Sequence, residues 1–152
     1  MQVHLVTITA LAEFPDRLQA HIAAIPADRL DWTPPDEDGA SALVRLGRVI
    51  DGETACQLQI TRAVAEDAPD LSAAEAGETP TPDSLDATLA AVHTQRKRTL
   101  SILEGLTPEQ WLRPARRDGR DTCVAALVHD LCRHDFLHLA ALQGVLGDIR
   151  VV

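Results

Sequence analysis

Apolar residues recur along this chain at spacings of three and four, the period at which side chains line one face of a helix. From about Thr7 to Ile25 the stripe is Leu11, Leu18, Ile22 and Ile25, and Pro15 inside it requires either a kink or a fresh start just before it. Three prolines and a glycine break the chain in "IPADRLDWTPPDEDG", residues 25–39, whose Trp32 is expected to lid one end of the core. Ser41 suits an N-cap for a second helix to about Ala65, with Leu43, Leu46, Val49, Ile50, Leu58 and Ile60 supplying apolar area. The acidic, proline-punctuated segment 65–84 is long enough to cross from one end of a bundle to the other. Asp83 or Ser84 then caps a third helix through about Glu104, closed by Gly105, with a stripe of Leu85, Leu89, Val92, Thr99 and Ile102 or Leu103. Thr107 and Pro108 begin a short helix that places Trp111, basic "RPARRDGRD" turns the chain, and Thr122 opens a last helix to about Leu146, stopped by Gly147.

Four helices joined by short first and third connections and a long middle one predict an all-α four-helix bundle, in which sites are assembled from inward-facing side chains. A chain of 152 residues supports one core, so residues 1–152 are read as a single domain. The formal charge of −9 argues against a phosphate-backbone partner and excludes nucleic-acid binding from the expectations. With no basic leader and no long uncharged apolar run, the protein is expected to be cytoplasmic and free of membrane contact. Cys56, Cys123 and Cys132 form no CxxC pair and read as small core residues, without a local base to make a nucleophile.

The chemistry concentrates in "DLCRHDFLHLAAL", residues 130–142. His134 and His138 lie four residues apart on one helical face, close enough to grip one ion. The stripe Val124, Leu127, Leu131, His134, His138 predicts that they point inward, where imidazoles require hydrogen bonds, a metal or a ligand. His129 falls on another face, His93 opens the run "HTQRKR" that reads as a solvated stripe, and His4 and His21 have no companions at ligand spacing, though His21 could reach the cavity.

Three stretches, "LDWTPPDEDGAS", "LEGLTPEQWLRPA" and "LVHDLCRHDFLHLAAL", resemble in order and spacing the landmarks of the DinB/YfiT-like family, described as metal-dependent hydrolases. The resemblance implies an up-down-down-up bundle, commonly homodimeric, holding a divalent ion such as zinc or nickel by three histidines. Two of these come from an HxxxH on the last helix and one from the second helix. It also implies, for some members, transfer of low-molecular-weight thiols onto electrophiles. His134 and His138 match the last-helix pair, while the second-helix stretch reads "RVIDGE", placing Arg48 where the third histidine would stand.

A guanidinium has no lone pair for coordination, so Arg48 cannot be a ligand, and two histidines hold a divalent ion only weakly without a third. Asp51, three residues on, is the candidate substitute metal ligand beside His134 and His138, and Glu53 is a poorer one. Two functions stay open. One is a metal-dependent hydrolase or thiol transferase completed by a substitute ligand. The other is a metal-free bundle in which Arg48 binds a small anionic or thiol-containing molecule.

Overall fold

The computed structural model describes residues 2–35, 39–72 and 84–151. Its long helices are α1 (Gln2–Ala24), α2 (Ala42–Ala65), α3 (Leu85–Glu104) and α5 (Val124–Val151), with a single turn α4 (Pro108–Trp111) and two strands, β1 (Pro114–Arg117) and β2 (Arg120–Cys123). Local chemistry sets most of these boundaries. The Ser41 hydroxyl accepts from the Val44 amide, Ser84 accepts from Ala87, and Thr107 and Gln110 form a reciprocal capping box before Pro108. Trp32 and Leu30 pack on one end of the core as partly buried side chains, consistent with a lid. Of the long middle connection, 73–83 lie outside the described residues, and Asp83 with them.

Several boundaries differ from the sequence pattern. Helix α1 begins at Gln2 and runs through Pro15 without a fresh start, because the apolar face on both sides of the proline packs into the bundle. Helix α5 begins two residues after Thr122 and continues past Gly147 to Val151, since Val145 is buried and Ile149 packs on the core, so packing overrides the glycine. The basic segment after Trp111 is an antiparallel hairpin rather than a plain turn. Asp118 (φ 54°) and Gly119 (φ 74°) supply the two left-handed residues that a tight hairpin needs. Arg116 also exchanges backbone hydrogen bonds with Pro69 and Leu71, tying the hairpin to the segment that leaves α2.

Two apolar clusters give the direction of every helix. One holds Leu11, Ile60, Leu103 and Leu127; the other holds Ile22, Leu46, Val92 and Val145. Helices α1 and α5 run from the first cluster to the second, and α2 and α3 run from the second to the first, which is the up-down-down-up bundle. Parallel α2 and α3 therefore require a connection that spans the bundle's length, and residues 66–84 of the chain join them. None of the described helices is long and apolar enough to cross a membrane.

Between the clusters lies a buried polar layer. Arg96 on α3, 2% exposed, donates from Nε and Nη2 to both oxygens of Glu53 on α2 (2.9 and 2.8 Å). From Nη1 and Nη2 it donates to both oxygens of Asp135 on α5 (2.8 and 3.0 Å), and from Nη1 to the Leu11 carbonyl on α1 (2.7 Å). Every guanidinium N–H thus has an acceptor, and the group lies 4.9 Å above the centre of the Phe14 ring. Thr99 donates to Glu53 (2.6 Å) and accepts from Gln57 (3.0 Å), so the layer joins all four long helices. The reading of "HTQRKR" as a solvated stripe fails at Arg96, which occupies the core register Val92, Arg96, Thr99, Leu103 and is solvent-free because two carboxyls neutralise it.

Candidate functional site

A cleft of about 210 Å³ opens between α2 and α5. On α2 it is lined by Arg48, Gly52, Ala55 and Gln59, at offsets of four, three and four residues, so one helical stripe faces it and the two small side chains leave the space. The facing stripe on α5 is Leu127, Leu131, His134 and His138, and Arg117 reaches in from the hairpin. The structure thus brings Arg48, His134 and His138 to one cavity. Asp51 and Glu53 do not line it: Asp51 is exposed on α2, and Glu53 is turned into the polar layer.

The histidines are less deeply placed than the stripe predicts. His134 is exposed at the cleft mouth and His138 is half-buried, with its Nδ1 sealed from solvent. The inward register of α5 passes from Leu131 through Asp135 to Leu142, because Asp135 is the residue that Arg96 draws into the core. Its burial, with Glu53 adding repulsion and Arg96 opposing both, pushes the Asp135 carboxyl up from its ordinary 3.8 to about 6. Burial would depress Arg96, but its hydrogen bonds to Glu53 and Asp135 outweigh that and hold the guanidinium above its ordinary range.

The donors beside the histidine pair are already committed. Both Asp135 oxygens accept from Arg96, and Asp130 accepts from Arg117. Burial, reinforced by Glu53, pushes the Cys56 thiol up to about 12, so Cys56 lines the cleft as a neutral thiol. Among the described residues, no group of three or more His, Cys, Asp or Glu side chains is placed to hold a metal ion.

The remaining histidines have other partners. His21 donates from Nδ1 to the Arg17 carbonyl (2.7 Å) and does not line the cleft, His93 pairs with Gln19 (3.0 Å), and His4 stacks on Trp111 at 4.5 Å between ring centres. His129 is exposed, as its face predicts. Among the cysteines, Cys56 is buried and Cys123 and Cys132 are partly so. Sequence reasoning missed Arg117, Arg96 and Asp135. The last two occupy stripe positions, four residues after Val92 and Leu131, and that register was the available signal.

A family model described as the DinB superfamily matches residues 10–142. YfiT from Bacillus subtilis, described as a probable metal-dependent hydrolase with an unusual four-helix bundle topology, superposes with a TM-score of 0.79 at 18% identity. That match covers 94% of this chain and 85% of YfiT. YjoA, a DinB-like protein of the same organism, gives a TM-score of 0.68 at 19% identity, covering 94% and 90%. No curated protein matches the chain in sequence.

Proposed function

The chain belongs to the DinB superfamily, and we propose that it is a member with a degenerate divalent-metal site, whose cleft binds a small anionic molecule at Arg48. The observation that carries this reading is that Arg48 lines the same cavity as His134 and His138, at the α2 position matching the third histidine in the sequence resemblance. A guanidinium there contributes positive charge and directed N–H donors instead of a lone pair. The imidazoles of His134 and His138 add polar ring edges to the same cavity, which suits the polar edge of an organic anion.

Retained metal chemistry is the second reading, favoured by the survival of the His134 and His138 pair facing one cavity. It requires Asp51 to turn inward as third ligand to zinc or nickel, in support of hydrolysis or thiol transfer. One measurement separates the two. Elemental analysis of untagged protein should find substoichiometric metal in the wild type and close to one zinc per chain in Arg48→His, whose three imidazoles restore the usual ligand number. Near-stoichiometric metal in the wild type, lost in His134→Ala, would overturn the proposal in favour of the second reading.

A further inference from the structure

A second cavity, of about 700 Å³, lies where the start of α1 meets the end of α3 and the single turn α4. It shares no described lining residue with the α2–α5 cleft, and its size falls within the roughly 300–1,000 Å³ of small-molecule sites. Leu103 is buried at its base, whereas Leu5 and Leu112 are 64% and 70% exposed, so the walls keep apolar area open to solvent. Trp111 stacks on His4 with the ring centres 4.5 Å apart and the planes 18° from parallel, which makes one wall aromatic.

Charge at this cavity is one-sided. Among the described lining residues Glu104 is the one carboxylate, the His4 imidazole is the other ionisable group, and there is no Lys or Arg. Glu104 is the last residue of α3, at the negative end of that helix's dipole, where a second negative charge is unfavourable. No basic residue in the last turn of α3 offsets it. A cation seated beside Glu104 relieves both the carboxylate and the helix end. The formal charge of −9 favours cations at this surface in the same sense, and an organic anion would be repelled.

We propose that this cavity binds an organic amine, with its ammonium on Glu104 and an aryl-bearing apolar body on Leu5, Leu112 and the His4–Trp111 wall. Apolar burial supplies the affinity and Glu104 the choice of head group. The site is separate from the Arg48 cleft, so its failure leaves the anion reading untouched.

Three probes with one body and different heads test this by isothermal titration calorimetry at low salt: 4-phenylbutylamine, 4-phenylbutan-1-ol and 4-phenylbutyrate. The amine should bind, the alcohol about fivefold more weakly, as an exposed ion pair allows, and the acid more weakly still. Glu104→Gln should bring the amine down to the alcohol's affinity and leave the alcohol unchanged, which also shows that the variant is folded. Leu112→Ala, at an exposed position, should weaken amine and alcohol alike. The emission of Trp111, read in Trp32→Phe, should change as the amine is added.

Alcohol or acid binding as tightly as the amine, an amine preference that survives Glu104→Gln, or no heat from any probe would overturn the proposal. Amine binding that ignores Leu112→Ala and leaves Trp111 emission unchanged would overturn it by placing the ligand elsewhere. A dimer in sedimentation that Leu112→Asp dissociates would overturn it by giving this face to a second copy of the chain.

Discussion

Replacing Arg96 by Met leaves Glu53 (3% exposed) and Asp135 (6% exposed) facing each other in the core without their shared cation. Five hydrogen bonds are lost at once, and each carboxyl retains the desolvation that the guanidinium had offset. Removing one partner of a buried ionic group costs about 3–5 kcal/mol, a large part of the roughly 5–15 kcal/mol that stabilises a domain. With a urea m-value of about 2 kcal/mol/M, the midpoint should fall by about 1.5–2.5 M, and the Tm should fall by about 6–20 °C. Far-ultraviolet circular dichroism in urea at pH 7 measures this directly. Acid should recover part of the loss, because protonation relieves the repulsion between the two carboxyls. The triple substitution Arg96→Met, Glu53→Leu, Asp135→Leu should recover most of it, since apolar side chains of similar size carry no desolvation penalty. A loss in Arg96→Met below about 1 kcal/mol would refute the reasoning, because that is the worth of a solvated surface pair.

In the wild type the folded pKa of Asp135, about 6, lies above its ordinary 3.8, so the stability linked to this group is fully present below pH 3.8 and lost as pH rises through 6. Asp135→Asn should flatten that part of the pH profile measured by urea melts; an unchanged profile would assign the titration elsewhere. Gly144 sits in α5 with nothing within 4 Å of an added Cβ, so Gly144→Ala should raise stability by about 0.5–1 kcal/mol, and a lower Tm would contradict this. Gly119→Ala, at φ +74°, should instead destabilise by about 1 kcal/mol, measured the same way. Leu5 and Val6 are 64% and 72% exposed on α1, so Val6→Glu should change stability by no more than about 0.5 kcal/mol in urea melts. A larger loss would contradict the exposed placement of this face.

The bundle was legible because its signals are local. Ser41, Ser84, Thr107 with Pro108, and Gly105 mark helix ends by their own hydrogen-bonding chemistry, and the apolar period fixes which face is inside. The hairpin was hidden because its strands, Pro-Ala-Arg-Arg and Arg-Asp-Thr-Cys, are polar, and only Asp118-Gly119 betrayed a tight turn. Of the cleft, Arg48, His134 and His138 could be placed from helical spacing, whereas Arg117 enters from the hairpin and has no spacing rule to announce it. Arg96 and Asp135 were obscured by residue type. Each sits where the stripe asks for an apolar side chain, and charge at such a position signals a partner on another helix, which one helix's sequence does not name.

Because α1 and α5 run in the same direction, the start of α1 and the end of α5 lie at opposite ends of the bundle. At 1.5 Å per residue the 28 residues of α5 span about 40 Å. A domain fused before Gln2 and another fused after Val151 would be held apart as by a strut, unable to touch through short linkers. Joining the same two points to make a circular permutant would need a linker able to travel the full length of the molecule, a second crossover beside the one that nature placed between α2 and α3.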